Sequence, residues 1–210
     1  MLNSFIEENK TNEFIYIDYL GTFAFAVTGA SVGGKSKLDL FGMLFLAFLT
    51  AVGGGTVRDL IIAEPVFWTK NPIYLYIIII ATLSTFFMRK FYERQSSLLL
   101  FLDTLGLGFF VVIGTQKTLL LGFNNETSLL MGVVTAVLGG ILRSAFSGEL
   151  SILYQKELYA TVAAISSVVF IILSQIDFDP LYPALAVMIT TFVLRYGAIK
   201  FGLKLPTMKE

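Results

Sequence analysis

The stretch Thr50–Asp59, TAVGGGTVRD, places three consecutive glycines and an Arg-Asp pair near the end of a long apolar run. Glycine is less favourable than alanine inside a helix by about 1 kcal/mol. A charged side chain at the centre of a membrane-spanning helix costs about 2.5–3.5 kcal/mol by insertion scales. We therefore expect such a segment only where a weakened helix and a buried charge serve the protein.

The composition around this stretch is that of a membrane protein. Of 210 residues, 56% are hydrophobic and 14% are charged, whereas soluble domains have roughly 45–50% and 25%. A helix needs about 20 mostly apolar residues to cross a bilayer. The sequence therefore predicts an all-α integral membrane protein with seven transmembrane helices and no separate soluble domain. The predicted spans are Phe14–Val32, Leu40–Ala63, Ile73–Met88, Leu98–Thr118, Leu129–Phe146, Tyr159–Ser174 and Leu181–Tyr196.

Several classes of function are excluded by what the chain lacks. It has no cysteine and no histidine, which excludes disulfides, thiolate metal sites and the usual side-chain sensor of neutral pH. Its net charge is zero, and no basic cluster indicates nucleic acid. No nucleophile or metal constellation emerges, so we expect neither an enzyme nor a bound cofactor. The acidic residues 1–13 are not a secretory signal peptide.

The basic residues predict how the chain is oriented. If the spans alternate in direction, 11 of the 15 Lys and Arg residues fall on the side that holds the carboxyl-terminal tail. Basic residues accumulate on the cytoplasmic side of membrane proteins. We therefore expect a multi-pass protein of the cell (inner) membrane, with residues 1–13 outside the cytoplasm and the tail inside it.

An internal repeat relates the two halves of the chain at one constant offset, the separation of Asp18 from Asp103. Over windows 18–30 and 50–64, 13 of 28 positions are identical to their partners, without a gap. The shared polar residues are more informative than the shared apolar ones. They pair Asp18 with Asp103, Thr50 with Thr135, Arg58 with Arg143 and Glu64 with Glu149.

Three spans in each repeat determine the symmetry. Because three is odd, the second copy must enter the membrane from the opposite side, which makes an inverted repeat of the kind that many transporters use. The first repeat with its linker is 14–96, and the second is 97–175. The seventh helix and the cytoplasmic tail occupy 176–210, outside the duplication. We expect this helix to serve packing or oligomer contact rather than the pathway.

The glycine motif occurs in both repeats and has two interpretations. Helical spacing places Thr50, Gly54 and Arg58 on one face, and the same holds in the second repeat. Small residues can let two helices approach closely, or they can let a helix kink so that freed carbonyls line a wet cavity. The clustering of glycines favours the kink beside a pathway. The candidate pore residues are Thr50, Gly53, Gly54, Gly55, Thr135, Gly139 and Gly140.

Two pseudo-symmetric ion pairs are predicted from depth in the membrane. Asp18 lies near the level at which the second span brings Arg58, and Asp103 and Arg143 are their equivalents. Charged side chains inside a membrane tend to pair with one another or face water. We expect Asp59 not to compete for Arg58, because adjacent residues point in different directions on a helix.

Three further polar residues are candidates for gating. Lys117, near the end of the fourth span, is either a pathway charge or a side chain that snorkels to the headgroups. Asp59 follows Arg58, and Ser144 replaces it in the second repeat. This difference means that the two copies are not equivalent.

The motifs resemble those of the trimeric intracellular cation (TRIC) channel family, in its prokaryotic branch. The resemblance rests on Asp18-x-x-Gly-x-x-x-Phe25, on TAVGGGTVRD and on the second GG-x-x-R, and it covers essentially the whole chain. It implies seven helices, a homotrimer and a pore for monovalent cations, chiefly K⁺, within each protomer. It also implies that the second and fifth helices are kinked at their glycines and line the pore.

These observations predict a passive monovalent-cation channel, with K⁺ or Na⁺ as the permeant ion and membrane lipids around it. The alternative is a secondary transporter of a small zwitterion such as glycine, because broken helices around a central site suit that function equally well. A non-conducting membrane protein would leave the duplicated charges unexplained. The rate of transport distinguishes the channel from the transporter, since a channel passes many ions per opening whereas a transporter is slow and saturable.

Overall fold

The structure, a computed structural model, describes residues 2–88, 91, 96–148, 158–176, 179 and 181–203, and for residues 2–13 and 96 the backbone alone. This part of the chain is helical, and each predicted span overlaps a helix. A short helix that the sequence did not predict, α3, lies between the second and third spans. The helices are α1 (Leu2–Lys35), α2 (Leu40–Ile61), α3 (Phe67–Lys70), α4 (Ile73–Phe87), α5 (Ser96–Leu120), α6 (Asn125–Ser147), α7 (Tyr159–Ser174) and α8 (Leu181–Phe201).

Five of these helices are long and apolar enough to cross a membrane: α1 from Phe14 onward, α2, α5, α6 and α8. The helices α4 and α7 are equally apolar but have 15 and 16 residues. At 1.5 Å per residue they are about 23 Å long, less than the roughly 30 Å of a hydrocarbon core. The chain is therefore an all-helical membrane protein.

The starts of α2 and α6 are fixed by the same kind of cap. The Asp39 carboxylate accepts a hydrogen bond from the Gly42 amide at 2.8 Å, and the Asn124 side chain accepts one from the Thr127 amide at 2.8 Å. Each bond satisfies an amide that the first turn of a helix leaves unpaired. The two caps are separated by the offset of the internal repeat, so the repeat extends to the signals that begin these helices.

The helices pack as two groups of three. In one group α1 packs against α2 and α4, and in the other α6 packs against α5 and α7. The groups meet where α1 contacts α5 and α2 contacts α6, and α8 lies against α5 and α7. At the centre, the rings of Phe25 and Phe110 meet edge to face, with centroids 5.0 Å apart.

The helices α2 and α6 cross with their backbones in contact. A Cβ atom on Gly54 would collide with the carbonyl oxygen of Thr135, and one on Gly139 would collide with that of Thr50. These two contacts are equivalent under the internal repeat. Only glycine allows such an approach, because any side chain would occupy the place of the opposite backbone.

Both helices run unbroken through their glycines. The Thr50 hydroxyl donates to the Leu46 carbonyl at 2.7 Å, and the Thr135 hydroxyl donates to the Met131 carbonyl at 2.6 Å. In this structure the glycines thus serve the close approach of two helices. The predicted kink at these glycines stays a prediction.

We predict that Gly54→Ala destabilises the protein, because the new methyl group must push α2 away from the Thr135 carbonyl. Overpacking of this kind costs roughly 1–3 kcal/mol. Thermal unfolding of the purified protein in detergent measures the effect, and Gly139→Ala should show the same loss. Gly197→Ala in α8 is the matched control, since nothing lies within 4 Å of that Cβ position. Equal unfolding temperatures for Gly54→Ala and Gly197→Ala would contradict the crossing.

Candidate functional site

A buried carboxylate at one end of the bundle joins α2 to α5. We call Arg58, Asp59, Phe67 and Lys117 the Asp59 cluster. Asp59 Oδ1 lies 2.8 Å from both Nε and Nη2 of Arg58 and 2.7 Å from Nζ of Lys117. Asp59 Oδ2 accepts a hydrogen bond from the Phe67 amide at 3.0 Å. One fully buried carboxylate therefore holds two cations and the start of α3.

The short helix α3 folds back onto α2 and covers this cluster. The Phe67 ring lies 5.8 Å from the Arg58 guanidinium and meets the Tyr74 ring edge to face at 4.6 Å. The indole of Trp68 donates to the Thr56 hydroxyl at 2.9 Å. The loop after α2 is thus anchored to the helix it follows, and it brings aromatic rings against the buried charges.

The predicted pair between Asp18 and Arg58 is wrong. The Asp18 carboxylate instead accepts a hydrogen bond from the Tyr74 hydroxyl at 2.6 Å, and Arg58 bonds to Asp59. The prediction considered only the divergent directions of adjacent Cβ atoms. An arginine side chain is long enough to turn back onto its neighbour, and α3 and Lys117 hold the Asp59 carboxylate in place to receive it.

A second buried cluster contains the predicted contact between Asp103 and Arg143. We call Thr28, Asp103, Arg143, Tyr159 and Arg195 the Asp103 cluster. Arg143 Nη1 lies 2.9 Å from Asp103 Oδ1 and donates to the Thr28 hydroxyl at 2.7 Å. Arg195 Nη2 lies 2.7 Å from Asp103 Oδ2, and its guanidinium lies 4.2 Å from the Tyr159 ring centroid. The role of this cluster in a pathway stays a prediction.

Arg195 belongs to α8, the helix outside the repeat, and sequence reasoning did not single it out. Its side chain is 8% exposed, so α8 places a charge inside the protein as well as packing on its surface. Tyr74 and Tyr159 were also missed as partners of the buried charges. These two tyrosines occupy equivalent positions of the internal repeat, and that equivalence was the signal that could have identified them.

The two clusters differ at the position that follows the arginine of the repeated motif. Ser144, buried in α6, occupies the position that corresponds to Asp59. The second cluster therefore has a single described carboxylate, Asp103, shared between two arginines. Within the described ranges, no group of three or more acidic side chains could hold a metal ion.

Two buried polar atoms at equivalent positions have no hydrogen-bond partner among the described residues: Ser31 Oγ in α1 and Gln116 Oε1 in α5. Buried polar groups are normally satisfied by protein or by ordered water. Ser31 is one turn from Thr28 of the Asp103 cluster, and Gln116 precedes Lys117 of the Asp59 cluster.

Proteins similar to this chain in sequence are membrane proteins. A sequence-family model described as Gly_transporter, glycine transporter, matches residues 15–90 and again residues 100–175. The starts of the two matches are separated by the offset of the internal repeat. The chain is 37% identical over 199 residues to the UPF0126 inner membrane protein YadS of Escherichia coli strain K12, covering 91% of this chain and 94% of that protein.

Solved structures with a fold similar to that of this chain are described as cation channels. A TRIC trimeric intracellular cation channel orthologue from Rhodobacter sphaeroides superposes with a TM-score of 0.85 at 34% identity, over 90% of this chain and 98% of that one. A second solved structure, described as the structural basis for conductance through TRIC cation channels, superposes with a TM-score of 0.85 at 31% identity. It covers 94% of this chain and 98% of its own.

We predict that Asp59→Asn strongly destabilises the fold, because Arg58 and Lys117 both lose their carboxylate. Breaking a buried pair from one side costs roughly 3–5 kcal/mol. The single tryptophan, Trp68, reports on this region, so fluorescence and thermal unfolding in detergent measure the change. Adding Lys117→Met should recover part of the loss, because one unpaired cation is then removed. If Asp59→Asn unfolds at the same temperature as the unchanged protein, the cluster does not hold α2 and α5 together.

Proposed function

Because the chain belongs to the TRIC family, we propose that it forms a cation channel in a cell membrane. The observation that carries the proposal is the α2–α6 crossing, which lies between two buried charge clusters. Buried arginines and aspartates are expensive in a bilayer, and a non-conducting membrane protein leaves their repetition in both halves of the chain unexplained. In an ion pathway, the charges of both clusters act on the passing ions.

The finer arrangement belongs to the same proposal. Seven helices cross the membrane as two inverted three-helix repeats plus α8, with the amino terminus outside the cytoplasm. The equivalent contacts at Gly54 and Gly139 support a two-fold relation between the repeats. The chain assembles as a homotrimer with one pore in each protomer, and the relatives described as trimeric support this assembly.

The pathway runs from the Asp59 cluster to the Asp103 cluster through the centre of each protomer. The contacts of the Thr50 and Thr135 carbonyls with glycines of the opposite helix support a closed state at the crossing. Opening requires α2 and α6 to bend or separate at Gly53–Gly55 and Gly139–Gly140. Carbonyls and hydroxyls freed there replace part of the hydration shell of a passing ion.

The contact between Lys117 and Asp59 is proposed to hold the gate closed, and we call this contact the latch. It joins α5 to α2 across the two repeats at 2.7 Å, and the Lys117 side chain is 29% exposed. Because Lys117 is partly exposed, moving it from the carboxylate into water costs less free energy than moving Arg58, which is almost fully buried. Because the second cluster has Ser144 in place of a carboxylate, its described residues form no equivalent latch.

Selectivity among cations is expected to be modest. The chain has no TVGYG-type filter. Only a few carbonyls and hydroxyls are freed at the crossing to contact an ion. K⁺ and Na⁺ should both pass, with K⁺ as the main ion in the cell. The arginines repel cations less because a carboxylate contacts each of them, Asp59 at Arg58 and Asp103 at Arg143 and Arg195.

The alternative, a transporter of glycine, agrees with the description of the sequence family to which the chain belongs. A carboxylate for a driving ion close to the crossing would favour a coupled transporter. The residues that make the crossing, Thr50, Gly54, Thr135 and Gly139, carry none. The channel is therefore the function that the geometry supports better.

We predict discrete single-channel currents from the purified protein in a planar bilayer under a KCl gradient. The reversal potential should lie toward the K⁺ equilibrium potential, because the pathway passes cations. Silent bilayers together with saturable uptake of labelled glycine into liposomes would favour the transporter instead. Empty liposomes and protein-free bilayers are the controls.

We predict that Lys117→Gln raises the open probability, because α5 is then no longer tied to Asp59. The change should appear as longer openings at unchanged unit current, measured in the same bilayers. Lys70→Gln is the matched control, since Lys70 is an exposed lysine at the same end of the bundle. An unchanged open probability in Lys117→Gln would show that this contact is not a latch.

A further inference from the structure

Asp18 is a carboxylate within a membrane span that no described cation contacts. Its Oδ2 atom accepts a hydrogen bond from the Tyr74 hydroxyl at 2.6 Å. No ion pair to Asp18 and no partner for its Oδ1 atom are present among the described residues. Asp59 and Asp103, by contrast, each contact two cations.

The environment of Asp18 is polar although it lies in a membrane span. The side chain is half-buried, and a carboxylate facing lipid is strongly unfavourable. A half-buried carboxylate in a membrane span is expected to face water inside the protein. Tyr74 connects Asp18 to the Asp59 cluster, because its ring meets the Phe67 ring at 4.6 Å and the Phe67 amide donates to Asp59. Asp18 thus belongs to the same mouth of the pathway as the Asp59 cluster.

The charges in this mouth balance only when Asp18 is counted. The Asp59 cluster contains two cations and one carboxylate, so on its own it would repel cations and attract anions. Asp18 supplies the second negative charge without pairing to either cation. Its free oxygen therefore remains available to a passing ion, whereas the Asp59 carboxylate is fully occupied.

The position of the Asp18 carboxylate is fixed by a rigid aromatic frame. Tyr74 is buried, and its ring meets the rings of Phe67 at 4.6 Å and Tyr19 at 5.1 Å. The Tyr19 hydroxyl in turn accepts a hydrogen bond from the Asn71 side chain at 2.7 Å. A carboxylate held in this way needs little rearrangement when an ion arrives.

We propose that Asp18 is the residue that makes this mouth prefer cations to anions, by offering its free oxygen to a partly dehydrated monovalent cation. The inference rests on the proposed channel function. It assigns charge selectivity to one mouth alone, because the equivalent carboxylate, Asp103, is shared between two arginines. The repeat would otherwise predict two identical selective sites.

The test is the K⁺-to-Cl⁻ permeability ratio of Asp18→Asn, taken from the reversal potential in an asymmetric KCl gradient. Asparagine keeps the shape and the acceptor for Tyr74 but removes the charge, which leaves the mouth with a net positive charge. Removing a unit charge from the mouth of the path, where it is partly screened, should lower the ratio about tenfold. The loss should be largest at low ionic strength.

Two variants separate this role from a structural one. Glu126→Gln removes an exposed negative charge at the start of α6, at the same end of the bundle, and should leave the ratio unchanged. Asp18→Glu keeps the charge and should retain cation preference even if Asp18→Asn folds poorly. A normal ratio in Asp18→Asn, or anion preference in Asp18→Glu, would overturn the inference. Absence of any current from the unchanged protein would instead overturn the channel function itself.

Discussion

The contact between two helix backbones, α2 and α6, is the constraint on which the rest of the structure depends. At this crossing Gly54 and Gly139 each receive a carbonyl oxygen of the opposite helix, from Thr135 and Thr50. No side chain fills the space between the helices there, so the crossing can be tight when the path is closed. The same lack of side chains leaves room for a polar opening once the helices move apart. In the proposed channel, closure and conduction use one set of residues.

The charge clusters acquire their arrangement from this crossing. Each of the two helices carries its arginine one turn beyond the glycine, Arg58 on α2 and Arg143 on α6, at opposite ends of the bundle. Because the helices cannot shift without moving these arginines, the state of the crossing is coupled to the ion pairs. The Asp59 cluster ties α2 to α5, and the Asp103 cluster ties α5 to α6 and α8. The clusters hold the closed arrangement from both ends.

Sequence reasoning predicted the symmetric features and missed the asymmetric ones. The repeat predicted the contact of Asp103 with Arg143 and singled out both glycine motifs, but a kink was preferred there to the close helix approach that the structure has. It failed for Asp18 and Arg58, where the copies differ: Asp59 has no acidic counterpart, and Lys117 reaches it from the other repeat. Arg195 lies outside the repeat, and the contacts of α3 and Arg195 depend on three-dimensional packing. A periodic apolar pattern cannot reveal a short helix that folds back or a charge from an unrelated helix.

The central claim is that ions pass the α2–α6 crossing within each protomer, and cysteine accessibility tests it most directly. The chain has no cysteine, so Thr135→Cys would place a single thiol at the crossing. Silver ions, small enough to follow a cation path, should then block the current irreversibly while channels open. Ile80→Cys, on an exposed face of α4, should leave the current intact. Block in the Ile80 variant and none in the Thr135 variant would show that ions take another route.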